Sequence, residues 1–386
     1  MKKHLLLLFI ILLTLHVQAQ GVWTAKANIG AARWGAVGFS IGSKGYVGTG
    51  LDASFNYKND FWEYDPVSNT WTQKANFGGT ARQMAAGFSV NGKGYIGTGY
   101  DGNIKQDMWE YDPIGNTWTA KASLPGAARY SAVGFAIGSK GYIGTGSLAS
   151  GTTNDLWEYD PLTNTWLQRA GLGSSGRSDA VGFSIGSMGY IGTGTGNDFW
   201  EYNPVSNTWT QKASVGSVSR YAAFGFSINN KGYIGTGYSS TWLQDFWEYD
   251  PSGNTWTAMA NFAGTARQNA VAFSIGSKGY AGMGLDATTT KNDLFEFDPV
   301  ITGIADHEGQ LQISVELQMD KTMLVMKGLA HPGTLRLFDM QGKIVHTEAI
   351  YAGEEKLVLP ETLSSGMYIY QVEAGQDKAA GKLVTQ

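Results

Sequence analysis

The sequence predicts an all-β protein, a six-bladed β-propeller followed by a small C-terminal β-sandwich. Three observations carry that expectation. The string NDFWEYDPVSNTW at Asn59–Trp71 returns four times nearly intact and once more shortened to NDLFEFDP at Asn292–Pro299. Its aspartates, Asp60, Asp107, Asp155, Asp198, Asp245 and Asp293, are 47, 48, 43, 47 and 48 residues apart. A period near fifty marks stacked units that cannot bury their apolar faces alone. Within each unit, short runs rich in aromatic and β-branched residues alternate with Gly, Pro and Asn, the pattern of strands and tight turns.

From the N-terminus, Met1–Ala19 reads as an export signal. Lys2 and Lys3 precede an 11-residue apolar run, Leu5–Leu15, too short to span a bilayer, and Val17 and Ala19 flank a cleavage point that makes Gln20 the first mature residue. No later segment is long and apolar enough to be transmembrane. The propeller is expected over residues 20–299. In Ala36–Ala75, AVGFSI is a first strand, GSKG a turn, YVGTG a second strand, LDASFNYK a variable loop, DFWEYD a third strand and TWTQKA a fourth. Four antiparallel strands repeated radially make a propeller blade. The sixth unit stops after three strands. The missing fourth is VWTAKA at Val22–Ala27, whose Trp23 is in phase with Trp71, Trp118, Trp166, Trp209 and Trp256. The N-terminus is therefore expected to close the ring and leave no open sheet edge.

The repeats resemble the kelch family. The matching residues are the Arg before each first strand, the Gly-Tyr of the second strand, and Tyr-Asp-Pro followed by Asn-Thr-Trp. They recur over roughly residues 21–300. The chain departs from the family where a Gly-Gly pair is usual: it has Gly-Thr-Gly at Gly48–Gly50, Gly97–Gly99, Gly144–Gly146, Gly192–Gly194 and Gly235–Gly237.

After a linker at 300–310, residues 311–386 show period-two patterning in LQISVEL, TMLVMK, LRLFD, KIVH, KLVL and MYIYQVE, a β-sandwich pattern. The pieces LRLFDMQGKIV (Leu335–Val345), LPETLSSGMYIYQV (Leu359–Val372) and GKLV (Gly381–Val384) resemble the type A sorting domain of the type IX secretion system. That resemblance implies export from a Bacteroidetes-type cell and the type IX machinery as a partner. It also implies a final location that is secreted or on the outer-membrane surface. A generic β-sandwich binding module is the other reading, and placement at the C-terminus favours an address.

Composition narrows the chemistry. There is no cysteine, and all five histidines (His4, His16, His307, His331 and His346) lie outside the propeller. Zinc and copper sites of the usual ligand types, and Ser-His or Cys-His nucleophile pairs, are therefore not expected there. Galactose oxidase, an enzyme built on kelch-type blades, needs copper-bound His and a modified Cys. No cofactor, no metal and no enzymatic activity are expected. A net charge of −4 argues against nucleic acid as a partner.

Each blade also carries one Arg (Arg33, Arg82, Arg129, Arg177, Arg220, Arg267) and one Glu (Glu63, Glu110, Glu158, Glu201, Glu248, Glu296). Two readings are open. The arginines could form an anion-binding ring with acid/base carboxylates, as in a sialidase-like or mutarotase-like enzyme on sugar acids. Or Arg and carboxylate could pair once per blade, as six-fold repetition favours. Variation gathers elsewhere. The second–third strand loops and the residues after each Arg share one face and differ from blade to blade, and blade four's loop is truncated. Eleven of the 13 tryptophans follow the repeat, and the exceptions, Trp34 and Trp242, fall on that face. The candidate ligand-binding set is Arg33, Trp34, Tyr57, Arg82, Tyr100, Arg129, Tyr130, Arg220, Tyr221, Trp242 and Arg267, with Phe55 and Tyr238 beside them. Aromatics among Asn, Gln and Asp suit the apolar C–H faces and hydroxyl edges of sugars, and suit a protein partner equally. The expected function is non-catalytic recognition of a glycan or surface protein. A sugar-acid enzyme and a structural surface adhesin are the alternatives.

Overall fold

The computed structural model describes residues 21–194, 196–299, 312–318, 321–327, 331–339, 343–351, 356–358, 363, 366–374 and 377–385. The expected export signal and linker lie outside the described residues. The chain divides into two compact units, one spanning residues 20–300 and the other containing 301–386.

The first unit is a ring of six four-stranded antiparallel sheets. Blade one runs outward from Val37–Ile41 through Lys44–Gly48 and Phe61–Asp65 to Thr70–Lys74, and blades two to five repeat it. The sixth sheet joins Val271–Ile275, Lys278–Gly282 and Leu294–Asp298 to the N-terminal strand Val22–Lys26. In that closing pair Trp23 lies opposite Phe297 and Lys26 opposite Leu294. Ends that meet inside one sheet close the ring, so each blade keeps only a short outermost edge strand.

The alternation of the strands places the core between blades. Val37, Phe39 and Ile41 are buried, and they pack with Tyr46, Phe61 and blade two's Ile96 and Tyr111. Such inter-blade clusters recur around the ring. The close approach needs glycine: a Cβ on Gly45 would lie 2.3 Å from the Phe273 ring of blade six. Asparagine staples adjacent blades. Asn116 Oδ1 accepts both the Tyr111 hydroxyl at 2.9 Å and the Ala75 N–H of blade one at 2.9 Å, while Trp118 Nε1–H donates to the Ala75 carbonyl at 3.1 Å. The repeated Asn-Thr-Trp is thus a bracket to the preceding blade.

The second unit has two antiparallel sheets. One contains Gln312–Gln318, Lys321–Lys327 and Lys356–Val358. The other has the order Ile344–Ile350, Gly333–Phe338, Gly366–Ala374, Asp377–Thr385. Leu335, Leu337, Ile350, Tyr368, Tyr370, Val372 and Ala374 form its core. The patterning gave six strands. The strand added by the structure, Asp377–Thr385, contains the run Lys378–Gly381, which has no β-branched or aromatic alternation to announce it. No helix among the described residues is long and apolar enough to cross a membrane.

Candidate functional site: the loop face of the propeller

The charges that repeat in every blade are consumed inside the blade. Arg82 is fully buried, its fork donating to Asp107 Oδ1 at 2.5 Å and Oδ2 at 2.8 Å, with Nη1 also donating to the Thr98 carbonyl at 2.8 Å. Trp109 Nε1–H donates to the same carboxylate at 2.9 Å. Arg33, Arg129, Arg177, Arg220 and Arg267 repeat this with Asp60, Asp155, Asp198, Asp245 and Asp293. Burial pushes the carboxyls of Asp60, Asp107, Asp155, Asp198 and Asp245 up, but the guanidinium fork outweighs it and holds them below the ordinary value of 3.8. The glutamates are equally occupied: Glu63 accepts from the Tyr46 hydroxyl at 2.5 Å and contacts Lys74 of the outermost strand at 3.4 Å.

This corrects part of the candidate set. Arg33, Arg82, Arg129, Arg220 and Arg267 are at most 1% exposed, with their Nη groups turned inward onto their aspartates, so a ligand on the loop face cannot reach them. A guanidinium buried among aromatics needs its charge compensated within its own blade, which the paired aspartate does. The same burial removes the anion-binding ring on which the sugar-acid reading depended.

The aromatic candidates fare differently. After five of the six arginines the chain forms short bridges above the blade: Trp34 to Leu51 to Tyr57, Gln83 to Tyr100 to Ile104, Tyr130 to Ser147 to Thr152, Tyr221 to Tyr238 to Trp242, and Gln268 to Leu285 to Thr290. Five blades therefore carry a three-rung ladder on one face, and its rungs are the positions that differ between repeats. In each laddered blade a glycine ending the second strand's Gly-x-Gly allows the close approach. Gly50 has φ +96°, and a Cβ there would sit 2.9 Å from the Trp34 carbonyl oxygen. Its N–H donates to the Arg82 carbonyl of the next blade at 2.7 Å, tying ladder to ring.

The ladders bring the aromatics into two groups. Tyr57, Tyr100 and Tyr130 of blades one to three form a chain with ring centroids 6.2 and 5.7 Å apart. Tyr221, Tyr238 and Trp242 of blade five form a second, at 5.6 and 5.3 Å. Tyr221 is 41% exposed, and Phe55, at a loop tip with φ +62°, is 75% exposed. A bulky residue in the left-handed region is uncommon, and one this exposed contributes little to the core. Trp34 occupies the first rung of blade one, outside both groups. Blade four, whose second and third strands are joined by only six residues from Thr193 to Asp198, separates the groups on one side.

The sequence reading missed a ring at the centre of this face. Two residues after each arginine stand Gly35, Met84, Ser131, Asp179, Ala222 and Asn269, all with φ between +52° and +59°. Each N–H donates to the carbonyl of its counterpart in the preceding blade, from Met84 to Gly35 at 2.7 Å round to Gly35 to Asn269 at 3.3 Å. This closed belt satisfies its own backbone groups, and its six unlike residues, Gly35 among them without a side chain, line a cavity of about 150 Å³ on the propeller axis. The signal was present as six unlike residues each followed by a constant alanine, from Ala36 to Ala270. No group of three or more metal-ligating side chains occurs among the described residues.

Comparison with known proteins places the two units. Residues 308–386 match the secretion system C-terminal sorting domain. The chain therefore carries the tail that directs export through the type IX system, to release or to attachment at the cell surface. No curated protein matches the chain. Among solved structures, the one titled "Structure of YjhT" superposes with a TM-score of 0.61 at 15% identity, covering 78% of this chain and 99% of that one. At that identity the likeness shows the fold alone, a β-propeller.

Proposed function

We propose that this exported kelch-type propeller is a non-catalytic recognition module that binds a glycan through its loop face. The observation that supports this most is the division of labour among side chains. Every charged residue of the repeat is spent within its blade, whereas the side chains that vary converge on one face, where tyrosine and tryptophan stand on backbone ladders. Aromatic rings held at fixed spacing, with one face toward solvent, suit the C–H faces of sugar rings, and the loop Asn, Gln and Ser residues suit their hydroxyls. A catalytic role is disfavoured because the arginines and aspartates that could perform it neutralise each other in the core. A glycan-array screen of the purified chain tests the reading. Binding to a defined subset of glycans is expected. Silence across neutral, acidic and amine-bearing glycans contradicts it and turns attention to a surface protein as the partner.

A further inference from the structure

Asp179 stands apart from the other carboxylates of the propeller. Among the described residues, every Asp and Glu between 21 and 299 except Asp179 and Glu248 contacts a lysine or arginine within 4.0 Å. Glu248 is on a blade strand, where it accepts from the Tyr233 hydroxyl at 2.6 Å. Asp179 is on the axial ring and lines the cavity, where its neighbours are hydroxyls: Ser178 Oγ donates to it at 3.1 Å, and Ser131 Oγ lies within reach. The Ser131 proton has a second acceptor, Met84 Sδ at 3.2 Å.

The cavity excludes some ligands by its chemistry. No lysine, arginine or histidine lines it, and the backbone N–H groups of the ring are spent on the belt, so nothing there receives an anion. Of its six ring residues, Ser131, Asp179 and Asn269 carry side-chain oxygen acceptors, Met84 and Ala222 are apolar and Gly35 has no side chain. A primary ammonium has three N–H donors and no acceptor, which matches that set. We propose that the axial cavity takes the protonated amine of an amino sugar, with Asp179 as counter-ion and Ser131 and Asn269 as hydrogen-bond acceptors. This deepens the glycan reading and rests on it. The sugar ring would remain outside among the ladder aromatics, since the cavity admits a head group and not a saccharide.

Burial raises the Asp179 carboxyl above its usual 3.8, with the Ser131 and Ser178 hydroxyls opposing the rise. No other ionisable side chain lines the cavity, so the pH dependence of amine binding would belong to this group. The carboxylate has to be ionised to hold the cation, and affinity should fall as the pH drops through its raised range. Because a folded-state pKa above the unfolded one favours the protonated form, the uncharged Asp179→Asn variant should melt no lower than the wild type at neutral pH.

The test is calorimetric titration of the purified chain with glucosamine trisaccharide and with its fully N-acetylated counterpart, for wild type and Asp179→Asn. Expected is an amine-bearing sugar bound about tenfold tighter or more, a preference lost in the variant and weakened by acid. Equal affinities, or a preference that survives Asp179→Asn, overturns the proposal and leaves the glycan reading standing. Binding of neither trisaccharide, with the array positive for another glycan, overturns it in the same way. A silent array defeats both.

Discussion

At the scale of single residues, the same side-chain type plays opposite parts according to whether it repeats. The arginine before the first strand appears once in every blade and is buried throughout. Replacing Arg82 by Ala would leave Asp107 in the wall with only Trp109 Nε1–H and backbone for company. The expected cost is about 3–5 kcal/mol, read as a shift in the denaturant midpoint. Arg82→Lys should recover little of it, because an ammonium cannot make the two-pronged contact to Asp107 and still reach the Thr98 carbonyl. Near-wild-type stability in both variants would show that the pair is not a structural requirement. The pairing could be read from the sequence, since a group present six times is poorly suited to a ligand without six-fold symmetry. The axial ring could not. Its residues share no side-chain chemistry; the constant spacing from the arginine and the alanine that follows mark them as equivalent, but only backbone torsion and the cyclic belt show that Met84, Ser131, Asp179 and Asn269 form one ring.

At the scale of elements, the repeat is a set of brackets. The tyrosine, asparagine and tryptophan of each third and fourth strand reach back to the preceding blade, and a glycine on the second strand leaves room for that neighbour's phenylalanine. Asn116 has φ +51°, so Asn116→Gly keeps the backbone conformation and removes only the carbonyl oxygen that serves Ala75 and Tyr111. A loss of about 1–3 kcal/mol in chemical denaturation is expected. No loss would mean that solvent replaces the bracket without penalty. Strand positions were legible because short runs rich in aromatic and β-branched residues are bounded by turns marked by Gly, Asp-Pro and Asn. The short ladders on the loop face were not, because bridges such as Tyr221 to Tyr238 to Trp242 involve one residue per rung and leave no periodic trace. The second unit repeats the lesson: its last strand, rich in Ala, Lys and Gly, pairs along Gly366–Ala374 without any apolar alternation in Lys378–Gly381 to predict it.

At the scale of the whole molecule, one inter-blade junction differs from the other five. Blade six borrows Val22–Lys26 and has no Asn-Thr-Trp of its own, so its Trp23 Nε1 has no hydrogen-bond partner, whereas Trp71, Trp118, Trp166, Trp209 and Trp256 each donate to an alanine carbonyl. Rings replace the bracket: Trp23 meets Phe246 at 5.0 Å, Phe262 at 5.1 Å and Phe297 at 4.9 Å. A seam held by apolar contact and by a strand from the far end of the chain should open before the others. Amide hydrogen exchange is therefore expected to be faster in Val22–Lys26 and Leu294–Asp298 than in Thr117–Lys121 and Met108–Asp112. Uniform protection across these strands would show that the aromatic seal equals the bracket.

The claim that the loop face binds the ligand is tested most directly by comparing three proteins on one glycan array. These are the wild type, the loop-face variant Trp34→Ala/Trp242→Ala, and a variant of the opposite face, Val67→Asp/Ile114→Asp. Val67 and Ile114 are 92% and 94% exposed in the turns between third and fourth strands, so their replacement leaves the core untouched. Loss of glycan binding in the loop-face variant alone is the predicted result. Loss only in the opposite-face variant, or full binding by the loop-face variant, would contradict the account and place recognition away from the ladders.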